Sequence, residues 1–196
     1  GSLNAGKVET LDSKGVPIIA NIYSPKITSG TLFIGVFDLD IFNTLKSTKF
    51  GVAYDKKPLA VIGQYKYKAG AEYHYCPDPK EYHLTEVKDI KDECSIGVYL
   101  YEYDAEKAES DTRYTTYLTG ENIKTSDKVI ANAELKDGTD KAEYTEFRLD
   151  LDYIKEYDKE KSYRLAIVTS SSKDGDKFSG APGSVLFIDN VEIINE

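Results

Sequence analysis

Apolar and polar residues alternate along this chain in short runs, and nowhere do they hold a helical period for long. Residues 93–103 (ECSIGVYLYEY) give the clearest case. Cys94, Ile96, Val98 and Leu100 point to one side of a strand, and Gly97, Tyr99, Tyr101 and Tyr103 to the other. Residues 59–68 (LAVIGQYKYK) set Val61, Gly63, Tyr65 and Tyr67 against Ile62, Gln64 and Lys66. Residues 143–151 alternate with one slip of register, marked by Tyr144, Phe147 and Leu149. Residues 128–135 and 163–168 read as further strands, and 184–193 joins a buried run to an alternating end. Residues 31–37 (TLFIGVF) predict a strand in which Gly35 marks a bulge or a close backbone approach. Residues 16–23 predict one strand, placed at an edge by Pro17.

Between these runs the signals change. Residues 1–15 are polar and are expected to fray or to be only partly strand-like. Residues 38–57 are mixed, with Phe42, Leu45 and Phe50 as anchors for a loop or a short helical turn. Residues 73–92 are long and irregular, as functional loops often are, and 104–113 is a charged loop tip. Residues 169–183 (TSSSKDGDKFSGAPG) form a polar, glycine-rich loop between two strand signals, a favoured place for binding chemistry. Eight to ten short strands without repeat or linker predict an all-β fold. The expected architecture is a single antiparallel β-sandwich over 16–196 behind a flexible 1–15.

Composition sharpens this picture. The 34 acidic and 25 basic residues give a net charge of −9, which repels phosphate backbones and makes nucleic acid a poor partner. No run approaches the roughly 20 apolar residues of a membrane span. Sixteen tyrosines and seven phenylalanines, with no tryptophan or methionine, mean half-buried sheet faces or a surface that stacks on flat partners. Cys76 and Cys94 are compatible with a bridge or with free thiols, and the parity of Cys94 favours a buried thiol.

The tyrosines carry the main chemical signal. Tyr99, Tyr101 and Tyr103 on one strand and Tyr65 and Tyr67 on another would tile a platform for pyranose C–H faces if they share an outward face. The alternative is that they fill a second hydrophobic layer. In the loop, Asp174, Asp176 and Lys177 offer polar partners and Phe178 a stacking ring, against the plainer reading of a self-bonded turn. Gly175 and Gly180 match the start of a phosphate loop, but Ala181-Pro182 stands where Lys-Ser or Lys-Thr is required. His74, Cys76, His83 and Cys94 match no common zinc spacing. Asp189 is a candidate ligand for a structural calcium or else a capped strand end. No cofactor is required, no nucleophile elbow is present, and no carboxylate pair is singled out for hydrolysis.

Four stretches carry a family resemblance: GTLFIGVF (30–37), Lys57-Pro58-Leu59 through GQYKYKAG (63–70), DECSIGVYLYEY (92–103) and SSSKDGDKFSGAPGSVLFIDNVEI (170–193), with a weaker echo at 118–135. Through them the chain resembles the putative carbohydrate metabolism domain family of Bacteroidetes surface proteins. The resemblance implies a jelly-roll sandwich similar to carbohydrate-binding modules. It also implies an exported protein of the cell surface or periplasm, often with an immunoglobulin-like domain upstream. It implies no catalytic residues. The expected function is therefore non-catalytic binding of a carbohydrate. A glycoside hydrolase with an Asp/Glu pair and a structural or adhesion module are the alternatives.

Overall fold

The alternating runs become the strands of two antiparallel sheets in the computed structural model, which describes residues 5–196. One sheet has the order Gly6–Glu9, Val185–Asn195, Pro58–Lys68, Lys141–Asp150. The other runs Asp152–Tyr153, Val129–Glu134, Ser95–Glu102, Tyr163–Ser170, Thr31–Phe33, and Val52–Tyr54 pairs the opposite end of Tyr163–Ser170. The period-2 reading places the right residues inside. Val61, Tyr65 and Tyr67 of the first sheet pack against Ile96, Val98 and Leu100 of the second, closed by Phe147, Leu149, Leu165 and Leu186. Burying these side chains, at about 25 cal/mol per Å² of apolar surface, is what holds the sheets together. The slip expected in 143–151 is real: the register between Pro58–Lys68 and Lys141–Asp150 shifts between Tyr65 and Tyr67.

The second sheet is covered on its other face as well. A three-stranded ribbon of Gly35–Phe37, Thr48–Phe50 and Leu118–Thr119 packs there. Its residues Phe50 and Leu118, with Ile123, close on Tyr99, Tyr101, Val129 and Ala166 in a separate apolar cluster. Gly35 lets the chain leave the sheet and enter this ribbon. Its φ is +151°, and a Cβ there would lie 2.0 Å from the Lys49 carbonyl oxygen. The expected 31–37 strand is thus two strands in two sheets, and the close backbone approach read from Gly35 is present.

Other boundaries differ from expectation for local reasons. Of the two expectations for residues 1–15, the partly strand-like one holds: Gly6–Glu9 pairs with Val185–Ile188 at the sheet edge and Leu11–Asp12 with Ile27–Thr28. The expectation for residues 1–4 lies outside the described residues. Residues 16–23 fold back on themselves, Pro17–Ile19 pairing with Ile22–Tyr23 around Ala20 at φ +45°. The irregular 73–92 contains a hairpin, Tyr73–Tyr75 with Glu86–Lys88. Ala105–Glu109 is a short helix whose Asp104 side chain accepts from the Lys107 backbone N–H. Cys76 and Cys94 are both buried, unbridged thiols.

Candidate functional site

The five tyrosines do not form an outward platform. Tyr65 and Tyr67 are 2% and 1% exposed between the sheets. Their hydroxyls donate to backbone carbonyls, Tyr65 to Asp137 at 2.8 Å and Tyr67 to Ser171 at 3.1 Å. Tyr101 is fully buried under the ribbon and donates to the Phe50 carbonyl at 2.5 Å. Tyr103 lies half-buried, its ring centroid 4.0 Å from the Arg164 guanidinium, which Tyr117 flanks at 3.6 Å. Burial raises the pKa of Tyr65, Tyr67, Tyr99 and Tyr101, as expected for phenols in a packed layer. The physical reason differs by strand: Tyr65 and Tyr67 lie on the inner face of the first sheet, and Tyr99, Tyr101 and Tyr103 on the outer face of the second, which the ribbon covers, so ring alternation produced two cores instead of a core and a surface.

Tyr99 alone of the five lines a cavity. Between the second sheet, the ribbon and the 170–178 loop lies a cavity of about 480 Å³, a size ordinary for a small-molecule site. Its carbon walls come from Phe33, Phe37, Leu39, Phe50, Ile123 and Phe178. Its charged groups are Lys124, Lys173 and Asp176. Asp176 Oδ2 accepts from Lys124 Nζ at 2.8 Å, while its Oδ1 is buried with no hydrogen-bond partner. The Tyr99 hydroxyl donates a short bond to the Glu134 carboxylate, and its pKa is raised first by burial, then by Glu134 and by the nearby Asp176. Tyr99, Lys124 and Asp176 thus bring polar groups to a mainly carbon-lined space, and Glu134, which is not among the lining residues, reaches it only through its bond to Tyr99.

The loop that closes this cavity is fixed from beneath by a buried carboxylate. Asp92 Oδ2 accepts from Ser172 Oγ at 2.6 Å, Ser184 Oγ at 2.7 Å and the Ala181 N–H at 2.8 Å, and Oδ1 accepts from the Glu93 N–H at 2.9 Å. Burial raises its pKa, and these donors oppose the shift. Thr10 Oγ1 lies 2.7 Å from both Ser171 Oγ and Ser172 Oγ. Gly180 at φ +158° is required here, since a Cβ would meet Ser172 Oγ at 2.3 Å. The serine run thus serves the loop's own structure.

Of the loop residues expected to bind, Asp176 and Phe178 line the cavity. Phe178 is buried, with its ring 5.1 Å from that of Tyr82. Asp174 and Lys177 do not line it. They bond each other at 2.8 Å, and Asp174 also accepts from the Tyr73 hydroxyl at 3.2 Å. Burial pushes the Asp174 pKa up, but Lys177 and Tyr73 pull it below its ordinary value. Phe42, expected as an anchor, is 80% exposed, whereas Phe50 is buried and Leu45 lines the cavity. Phe37, Leu39, Ile123 and Lys124 were not singled out by sequence. The one available hint was two apolar residues, Phe37 and Leu39, flanking Asp38 at the end of a strand signal.

Asp189 lies in Val185–Asn195 at an irregularity of the pairing with Pro58–Lys68, and its Oδ1 accepts from the Asn190 N–H at 2.9 Å. Among the described residues no three His, Cys, Asp or Glu side chains gather to hold a metal, so the calcium expectation rests on Asp189 alone. Among them, too, no helix is long and apolar enough to cross a membrane.

Comparison with known proteins gives a consistent result. The model of the family described as putative carbohydrate metabolism domain matches residues 2–194. A crystal structure of a putative glycoside hydrolase from Bacteroides thetaiotaomicron VPI-5482 superposes with a TM-score of 0.80 at 32% identity, over 98% of this chain and 53% of that one. One from Bacteroides vulgatus ATCC 8482 superposes at 0.75 and 30% identity, over 98% of this chain and 73% of that one. This chain thus spans about half the length of the first of these relatives. Comparison with curated proteins gives no match.

Proposed function

The chain belongs to the putative carbohydrate metabolism domain family, and from that premise we propose that its cavity binds carbohydrate without cleaving it. The observation that carries this reading is a cavity lined mainly by carbon and interrupted by the polar groups of Tyr99, Lys124 and Asp176. Phe33, Phe37 and Phe178 suit the C–H face of a sugar ring. Asp176, Lys124 and Tyr99 suit hydroxyls at one edge of it. Glycoside hydrolysis commonly uses two carboxylates flanking the scissile bond. Asp176 is the one carboxylate among the residues lining this cavity, which favours binding over hydrolysis.

On this reading the domain serves a longer exported protein of the cell surface or periplasm that handles polysaccharide. The greater length of the relatives supports the first part. A glycan array followed by calorimetry tests it: a hit weakened at least tenfold by Asp176→Asn is expected, and no hit across a broad array contradicts it.

A hydrolase is the second reading. It is favoured by the similarity to two structures described as putative glycoside hydrolases and by the Tyr99 hydroxyl, which bonds Glu134 while Asp176 raises its pKa. Reducing-sugar release from an array hit, abolished in both Glu134→Gln and Asp176→Asn, would establish it over the binding reading.

A further inference from the structure

We infer that the ligand of this cavity is a sugar bearing a methyl-terminated substituent beside a hydrogen-bond donor, as the end of a glycan carries in a 6-deoxyhexose or an N-acetylhexosamine. This rests on the carbohydrate reading and narrows it. The argument comes from which polar groups at the cavity are already committed. Ser29 Oγ lies 2.7 Å from Ser170 Oγ, and Thr28 Oγ1 lies 2.7 Å from Ser13 Oγ. Ser47 Oγ accepts from the Asp40 N–H at 2.9 Å, and Thr48 Oγ1 donates to the Leu45 carbonyl at 3.4 Å. These hydroxyls line the space but bond within the protein.

Thr31 and Thr44 add two more hydroxyls and Lys173, bonded to Glu93 at 3.3 Å, a charge; the rest of the wall is mainly carbon, and Asp176 Oδ1 is a buried acceptor with no partner. Such an acceptor calls for a donor. A plain hexose presents hydroxyls around its rim, and each one turned to carbon loses its hydrogen bonds to water without replacement. A methyl group in the same place gains from burial. The match is therefore a ligand with one donor for Asp176 and a methyl for the phenylalanine and leucine wall. In a 6-deoxyhexose these are a ring hydroxyl and C6. In an N-acetylhexosamine they are the amide N–H and the acetyl methyl, with Lys124 or Lys173 available to the amide oxygen.

Matched pairs of methyl glycosides test this on the intact chain. L-Fucose and L-galactose differ only in a methyl against a hydroxymethyl, and N-acetylglucosamine and glucose only in an acetamido group against a hydroxyl. Calorimetry is expected to show one methyl-bearing member binding about tenfold or more tighter than its partner, and the pair that shows it names the substituent. Phe37→Ser alters a side chain 64% exposed, so the fold is retained, and it should shrink that preference severalfold. Asp176→Asn should weaken both members of the pair. Equal affinities within both pairs would overturn the inference while leaving the carbohydrate reading standing. No binding by any of the four would overturn the inference and leave the carbohydrate reading to the array, whereas binding that ignores both substitutions would overturn the two together.

Discussion

The two faces of the six-stranded sheet make an instructive pair. The inner face is filled: Ile96, Val98 and Leu100 meet Val61, Tyr65 and Tyr67, and all are nearly inaccessible. The outer face is filled only in part. Under the ribbon, Tyr101 packs as tightly as any core residue, yet two positions away Tyr99 borders a cavity of about 480 Å³. The same strand thus supplies a structural layer on one side and the floor of a cavity on the other. The difference lies in what covers each face. A regular sheet brings a side chain to every position. A short ribbon and a loop cover the outer face and leave room between them.

If the inner layer is structural, truncating it should produce the largest stability effect. Leu100→Ala should cost about 2–5 kcal/mol of unfolding free energy, measured by denaturant titration, because a close-packed layer relaxes little around a lost side chain. A loss below about 1 kcal/mol would mean that this layer is looser than described.

The loop bordering the outer cavity depends on Asp92, so Asp92→Asn should come next. It places an amide where four donors converge, and a loss of about 1–3 kcal/mol is expected. The pH dependence carries a sign. Asp92 has a raised pKa when folded, so between its unfolded value near 3.9 and that raised value the native state binds more protons than the unfolded state. Its contribution is fully present below the unfolded pKa and is lost as pH rises through the folded one. The deficit of Asp92→Asn relative to the parent chain should accordingly narrow across that window. A deficit that widens there would refute the assignment. The smallest stability effect belongs to the rim: Phe37→Ser should shift unfolding by no more than about 0.5 kcal/mol while reducing ligand affinity.

How much of this contrast could be read beforehand depends on the range of the interactions. The strand pattern was legible, because period-2 alternation assigns Val61 with Tyr65 and Val98 with Leu100 to shared faces from local sequence alone, but not that Tyr65 and Tyr67 turn inward, since the same alternation fitted an outward platform. Gly35 was legible for the same reason, since a lone glycine in a strand marks a backbone constraint where it stands. What covers a face is not local. The tyrosines at 99, 101 and 103 looked equally fit for solvent or for a second layer, and only the return of residues 35–50 and 118–123 over the sheet decided between them. Asp92 stood in a segment that looked irregular, and three of its four donors are 80 to 92 positions away in sequence. Of the candidate site, the loop yielded Asp176 and Phe178, while its serines had been read without the buried carboxylate they satisfy.

The most direct test is to titrate the isotopically labelled chain with an array hit and follow the methyl and aromatic NMR signals. The account predicts saturable shifts at Leu39, Ile123, Val168 and Phe178 around the outer cavity, with Leu100, Leu165 and Leu186 between the sheets unmoved. Shifts confined to another face of the molecule, with the cavity residues silent, would contradict it.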